Sequence, residues 1–398
     1  MEKILQYKNG YGLDQLEYEK LVDRFYGFEE YYYYKDRRHY DDYKFVINLI
    51  DDIRNNKPMD TAYKNAIIGY WISFKRLPRV ISPKQLAFSI TDACQLKCRH
   101  CYNQDVARHN KFMTYDEFEW LYHRHQEIIK RFIHYHPVNE CDITMAIEGG
   151  EPSLNPDAAK MVKFGIDRNM TVQFLTNGIN LSDELIETFK LCKNPFKMRV
   201  QVSIDGLKNT HDYIRGEGSF EKSLESIIKM INHGICVNTN TVVHNKNYQE
   251  LKKIKSLFRE YYHINSGDMV YVDKNNEILK PTFIKDVILY ETTQYEITCS
   301  AGNNVLITPD GGYRFCGKLA TPNIANYFTD TIEEWLEKVR KEIIRYRSVP
   351  IYCFDCELYN DCYGGLSCNR YCSSNLYNLP DYDCIKSNKK VFSEMYEV

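Results

Sequence analysis

The chain has 398 residues, 43% hydrophobic and 27% charged, which is enough for one large α/β barrel with a smaller appendix and a real core. A formal net charge of −2 and a pI near 6.6 speak against a broad nucleic-acid footprint, which needs a basic surface. The polar first twenty residues lack the apolar stretch of a signal peptide, and the apolar run at 65–73 is too short to span a membrane.

The expected compartment is therefore a reducing cytoplasm, where fourteen cysteines point to metal or catalysis before disulfides. Residues 1–84 read as a mainly helical region, with amphipathic patterns over Leu13–Phe25 and Tyr40–Ile53 around the tyrosine run Tyr31–Tyr34. Packing or a solvated face is one reading of that run, and substrate recognition is another, because tyrosine suits binding patches.

From 85 to 284 short β-branched runs alternate with helical spacing, the pattern of repeated βαβ units on a parallel sheet. Strands are predicted over Gln85–Thr91, Ile143–Ile147, Thr171–Thr176, Met198–Ile204, Ile235–Val242 and Met269–Val272. Helices are predicted over Tyr115–Tyr135, Pro156–Asn169, Ser182–Cys192, Phe220–His233 and Tyr248–Tyr262. Start signals include Asn155 before Pro156, and Ser182 before Asp183 and Glu184. Six strands and five helices imply an α/β fold, a partial (β/α)6 barrel of TIM type open on one side. In 285–398 cysteine, glycine and tyrosine rise while periodicity falls, and only Ile332–Arg347 reads as a long helix. A region so poor in aliphatic residues needs a staple, for which metal is the obvious candidate.

Four motifs fall at the carboxyl ends of four successive predicted strands, where barrel enzymes build their sites. They are Cys94, Cys98 and Cys101; Glu148-Gly149-Gly150-Glu151-Pro152; Thr176-Asn177-Gly178; and Ser203-Ile204-Asp205-Gly206. Each glycine motif alone is an ordinary turn; the signal is that they coincide with the strand ends. Glycines there let backbone approach a ligand, while Glu151, Ser203 and Asp205 offer partners for an amine, a carboxylate or hydroxyls. Three cysteines are one ligand short of a structural zinc site, and His100 stands too close to Cys98 and Cys101 to be a comfortable fourth. Three thiolates can instead hold three corners of an iron–sulfur cube and leave one iron open to a small molecule. Eight further cysteines lie beyond residue 298, where spacing alone leaves zinc knuckles and iron–sulfur sites both open. Cys141, Cys192 and Cys236 lie in or beside apolar elements and read as inert core thiols.

On these motifs residues 85–385 resemble a radical S-adenosylmethionine (SAM) enzyme with a C-terminal SPASM domain. The resemblance implies that Cys94, Cys98 and Cys101 ligate a 4Fe-4S cluster whose fourth iron is chelated by SAM. It implies SAM contacts from Gly149, Gly150, Glu151, Ser203, Asp205 and Arg215, with His100 packing near the adenine and Asn177 a further contact. It also implies two auxiliary 4Fe-4S clusters. Cys353, Cys356, Cys362 and Cys384 would hold one, and Cys299 and Cys316 the other, with Cys368 or Cys372. Cys368 follows Cys362 after five residues where the family has three, so the last ligands stay open. If both Cys368 and Cys372 bind, that cluster is an electron relay; if only one does, an iron is open to a substrate thiolate. The implied function is modification of a ribosomally made peptide or protein, as a cross-link or thioether, with flavodoxin or ferredoxin as the reducing partner and residues 1–84 available for leader recognition. A sulfatase-maturing, formylglycine-generating enzyme is the alternative, disfavoured because only Cys299 precedes Cys316. A non-catalytic iron–sulfur or zinc scaffold is the alternative of another class.

Overall fold

The computed structural model describes residues 48–53, 55–60, 63–64, 66–67, 85–101, 110–131, 139–179, 181–243, 246–262, 265–270, 304–315 and 323–348. Cys299, Cys316, Cys353, Cys356, Cys362, Cys368, Cys372 and Cys384, and the run Tyr31–Tyr34, lie outside them. Among the described residues no helix is long and apolar enough to cross a membrane.

Six strands arise where the alternation predicts them: β1 (Gln85–Ser89), β2 (Thr144–Glu148), β3 (Thr171–Thr176), β4 (Met198–Ser203), β5 (Val237–Val243) and β6 (Asn265–Val270). Each pairs in parallel with its sequence neighbour. Between them run α1 (Tyr115–Ile129), α2 (Ala158–Asp167), α3 (Asp183–Lys190), α4 (Lys208–Arg215), α5 (Ser219–Asn232) and α6 (Leu251–Tyr262). A parallel pair needs such a crossover, and handedness puts every helix on one face. The sheet is not closed: its strand order begins at β6 and runs through β1 into a ribbon, the partial barrel expected.

Thr114 and Glu117 start α1 as a capping box, with Thr114 Oγ1 accepting from the Glu117 N–H at 3.2 Å and the Thr114 N–H donating to Glu117 Oε2 at 2.9 Å. Its apolar stripe Phe118, Leu121, Tyr122, Ile128 and Ile129 is buried. Phe118 packs on Phe88 of β1 at 4.5 Å and on Phe164 of α2 at 5.2 Å between ring centroids. Phe88, Ile147, Val172, Phe174, Val200 and Val202 face the helices with no solvent exposure. The alternate positions, Ser89, Glu148, Gln173, Gln201, Ser203, Asn238 and Asn240, are half-buried on the concave face.

Three departures from expectation have local causes. The strand expected at Met269–Val272 is Asn265–Val270, because pairing to β5 (Asn238↔Asn265) overrides the poor strand propensity of Asn265, Gly267 and Asp268. Helix α4 was not predicted; its N-terminus is capped from a distance, with the Leu207 N–H donating to Glu250 Oε2 at 2.8 Å and Thr210 Oγ1 to Glu250 Oε1 at 2.7 Å. The region after residue 303, read as irregular apart from one helix, also carries β7 (Asn304–Ile307), β8 (Gly312–Arg314) and β9 (Ala325–Asn326). Strand β7 pairs in parallel with β1 (Gln85↔Asn304), and β8 and β9 follow antiparallel, giving nine strands. Strands this short carry too little periodicity to read locally. Helix α7 (Ile332–Arg347) starts at the Thr331–Glu334 capping box and packs Trp335 against Tyr313 and Tyr327 at 4.7 and 5.4 Å. Residues 48–53 are helical, and Ile50, Ile53, Tyr63, Ala66 and Ile67 join the same core as the barrel and α7.

Candidate functional site

The loop after β1 carries Cys94, Cys98 and Cys101. Its first part is tied to the loop after β2: Gly150 N–H donates to Thr91 O and Glu151 N–H to Ala93 O, both at 2.8 Å. The glycines serve this approach. A Cβ on Gly149, whose φ is +150°, would lie 2.3 Å from Thr91 O, and one on Gly150 would lie 2.2 Å from Ala93 O. The later part of the loop is clamped to α4, with the Arg99 N–H on Ile214 O and Nε on Tyr213 O, both 2.8 Å, and the guanidinium 4.3 Å over the Tyr213 ring.

Cys98 is buried; Cys94 and Cys101 are half-buried. Burial pushes the Cys98 thiol up to about 11; Arg215 pulls it down, while Asp205, Cys101 and Cys94 push it up further. Cys98 thus lies within electrostatic reach of Cys94, Cys101, Asp205 and Arg215. Among the described residues no three His, Cys, Asp or Glu side chains converge on one point as ligands of a single ion would.

Asp205, at the end of β4, is fully buried. Its Oδ2 pairs with His100 Nε2 at 2.7 Å and Arg215 Nε at 2.5 Å, and Oδ1 accepts from the Val242 N–H at 2.9 Å. Burial pushes this carboxyl up, but Arg215 and His100 outweigh it and hold the group well below the usual carboxylate range. His100 and Arg215, expected separately at a small molecule, are thus held by one carboxylate, which fastens the cysteine loop to β4 and α4. Two residues absent from the sequence-derived set complete the support. His211 Nδ1 accepts from the Asp205 N–H at 3.2 Å, and Asn247 Nδ2 donates to Asp205 O at 2.9 Å. His211 lies four residues before Arg215 on α4, while Asn247 carries no local signal.

Glu151 is buried, and its oxygens accept from four donors: Oε1 from Thr176 Oγ1 (2.6 Å), Ser153 Oγ (2.7 Å) and the Ser153 N–H (3.2 Å), Oε2 from the Asn177 N–H (2.7 Å). Burial raises its pKa against these bonds. The side chain therefore welds the ends of β2 and β3. Glu151→Gln keeps the shape but turns an NH2 toward the donors; it should cost about 1–3 kcal/mol. Urea unfolding would measure this, and a change near zero would remove the weld.

Asn177 Oδ1 accepts from the Ile179 N–H at 2.8 Å and Gln95 Nε2 at 3.4 Å, which leaves Nδ2 buried without a protein partner among the described residues. Ser203 is half-buried nearby on the concave face, opposite Asn240 of β5. An orphaned amide donor and a hydroxyl at strand ends beside three thiols fit a small polar molecule held against a cluster. Cys141, Cys192 and Cys236 precede β2, β4 and β5 at the opposite ends of those strands; Cys192 is half-buried against the core, Cys141 is half-buried, and Cys236 is exposed and so not a core thiol.

Residues 88–258 match the family model of the radical SAM superfamily. The chain is 29% identical over 190 residues to an AdoMet-dependent heme synthase of Methanosarcina barkeri, covering 46% of this chain and 50% of that protein. It is 26% identical over 278 residues to the antilisterial bacteriocin subtilosin biosynthesis protein AlbA of Bacillus subtilis, covering 63% and 59%. It therefore spans about half the length of these curated relatives. Its fold is similar to that of Streptococcus suis SuiB, with a TM-score of 0.58, 13% identity, and coverage of 86% of this chain and 88% of that one.

Proposed function

We propose that this chain, whose residues 88–258 match the radical SAM family model, is an enzyme that reductively cleaves SAM and modifies a ribosomally synthesised peptide or protein side chain, through a cross-link or thioether. Cys94, Cys98 and Cys101 would hold the 4Fe-4S cluster. Such a cluster, with SAM bound, would supply the one-electron reduction that opens radical chemistry on a substrate. Asp205, ionised and immobile, keeps Arg215 charged at the site and draws His100 and the cysteine loop onto β4. Asn177 Nδ2 and the Ser203 hydroxyl offer hydrogen bonds to SAM. The SAM amine would be met at the Gly149-Gly150-Glu151 turn, where an acceptor oxygen is required of the chain.

The observation that carries this reading is the union of the three-cysteine loop with Asp205, His100 and Arg215 at the strand ends. The subtilosin relative supports a peptide substrate. The auxiliary clusters, on the eight cysteines from Cys299 to Cys384, belong to the same proposal, as do a flavodoxin or ferredoxin donor, a recognition role for residues 1–84 and a cytoplasmic setting.

Anaerobic reconstitution tests the reading. About twelve irons per chain, with SAM converted to 5′-deoxyadenosine and methionine under dithionite, is the expected result. Cys98→Ala should abolish the cleavage. Tight zinc without cleavage would sink the proposal in favour of a scaffold.

A further inference from the structure

The concave face of the sheet carries a chemistry that the cysteine site does not use. Gln173 on β3, Gln201 on β4, and Asn238 and Asn240 on β5 are half-buried there, on three adjacent strands. Gln173 Nε2 donates to Gln201 Oε1 at 3.0 Å, and Gln201 stands directly across from Asn238 in the β4–β5 register. Asn240 stands across from Ser203, so the group runs from mid-barrel up to the candidate SAM site.

We infer that these four carboxamides bind the backbone of an extended substrate segment, so that the enzyme grips peptide groups below the residue it modifies. The inference rests on the peptide reading above. A carboxamide is the side-chain counterpart of a peptide group, with a carbonyl acceptor and an N–H donor side by side. Asn238 and Asn240 are two residues apart on a parallel strand, hence about 6.6 Å apart along it, which is also the repeat at which an extended chain offers its N–H and C=O to one side. Backbone recognition of this kind leaves the side chains free to vary.

The charges favour the same occupant. Among the described residues of this face the only cation is Arg199, which is exposed with Nε turned back to Phe196 O at 3.1 Å, and Glu148 stands at the upper end. A ligand rich in carboxylates would meet a carboxylate there and no cation at the carboxamides. A flat apolar macrocycle would cover Asn238, Asn240 and the unpaired ends of the Gln173–Gln201 pair without satisfying them, at about 1–3 kcal/mol for each group left unpaired. An uncharged chain of amides satisfies both conditions.

The probe is N-acetyl tetraglycine amide, a backbone without side chains, followed by saturation-transfer NMR on the full chain. Wild-type protein should transfer saturation to the glycine methylenes. The Gln201→Leu/Asn238→Leu variant should weaken binding roughly tenfold or more, the loss expected for two hydrogen-bonding groups. Gln201→Asn, which keeps the carboxamide, should retain most of the signal, a rescue that a merely structural role would not give. If the double variant does not fold, Asn238→Ala on its own carries the test with a smaller loss. Equal transfer in wild type and variants overturns the inference, and so does preferential binding of haem. Failure of the wider reading looks different: reconstituted wild type would cleave no SAM at all.

Discussion

Replacing Asp205 by alanine should destabilise the domain by about 3–5 kcal/mol, because removing one partner of a buried ion pair strands the other. Here two partners are stranded. Arg215, whose side chain is only 10% exposed, loses its 2.5 Å bond, and His100 loses its 2.7 Å bond. The Val242 N–H also loses its acceptor. The Coulomb attraction that holds the cysteine loop to the end of β4 then disappears, and with it the fixed position of Arg215. Retention of SAM by the reconstituted protein should fall with it. Asp205→Asn preserves the shape but removes the negative charge that faces the Arg215 guanidinium and turns an amide toward it and the His100 ring, so it should behave more like alanine than like wild type. Urea unfolding and calorimetric titration of SAM measure the two losses. Wild-type stability in Asp205→Ala would mean that the carboxylate does not organise the loop.

The second large effect is loss of stability in mild acid. His125 on α1 and His211 on α4 are buried. Burial drives His125 down to about 3 and His211 to about 4, Arg215 adding to the depression of the latter. His125 Nδ1 lies 2.7 Å from the Tyr327 hydroxyl, so a neutral ring links α1 to the ribbon after β9. In the unfolded chain histidine titrates near about 6.5. Below that pH the unfolded state binds more protons than the folded one, so stability falls as pH falls. The contribution is complete above about 6.5 and erodes toward the folded values by up to about 1.4 kcal/mol per pH unit for each histidine. Asp205, also depressed, adds its own loss lower down, below its unfolded value of about 3.9. Denaturation midpoints measured from pH 7 to 4.5 should slope accordingly, and His125→Phe should roughly halve the slope. A flat profile across that window would contradict the buried neutral state of both rings.

Much of the barrel was legible because its information is local. Alternation in Thr171–Thr176, the start signal at Ser182 and the spacing of Phe118, Leu121 and Tyr122 depend on neighbours within a turn or two. The ends of elements drifted: α1 stops at Ile129 rather than Tyr135, with a simple αR C-cap at Lys130. Helix α4 escaped because its capping group, Glu250, is 43 residues from Leu207. The sequence offers Glu151 as a polar partner at a strand end but does not reveal the bonds its carboxylate accepts from Thr176, Asn177 and Ser153, which lie at the end of β3 and in the turn after β2 and are brought to it by packing.

The chain's own order of residues dictated the alternation of strand and helix, the three-thiol loop after β1 and the placement of polar turns at strand ends, since each follows from spacing that the backbone enforces over a few residues. Tertiary structure alone decided that His100 and Asp205, 105 residues apart, would share one buried charge. It also decided that β7 would extend the sheet beside β1, and that carboxamides from three strands would gather on one face. Those outcomes depend on which distant groups meet once water is excluded, and a buried charge or amide accepts whichever partner the packing brings within reach.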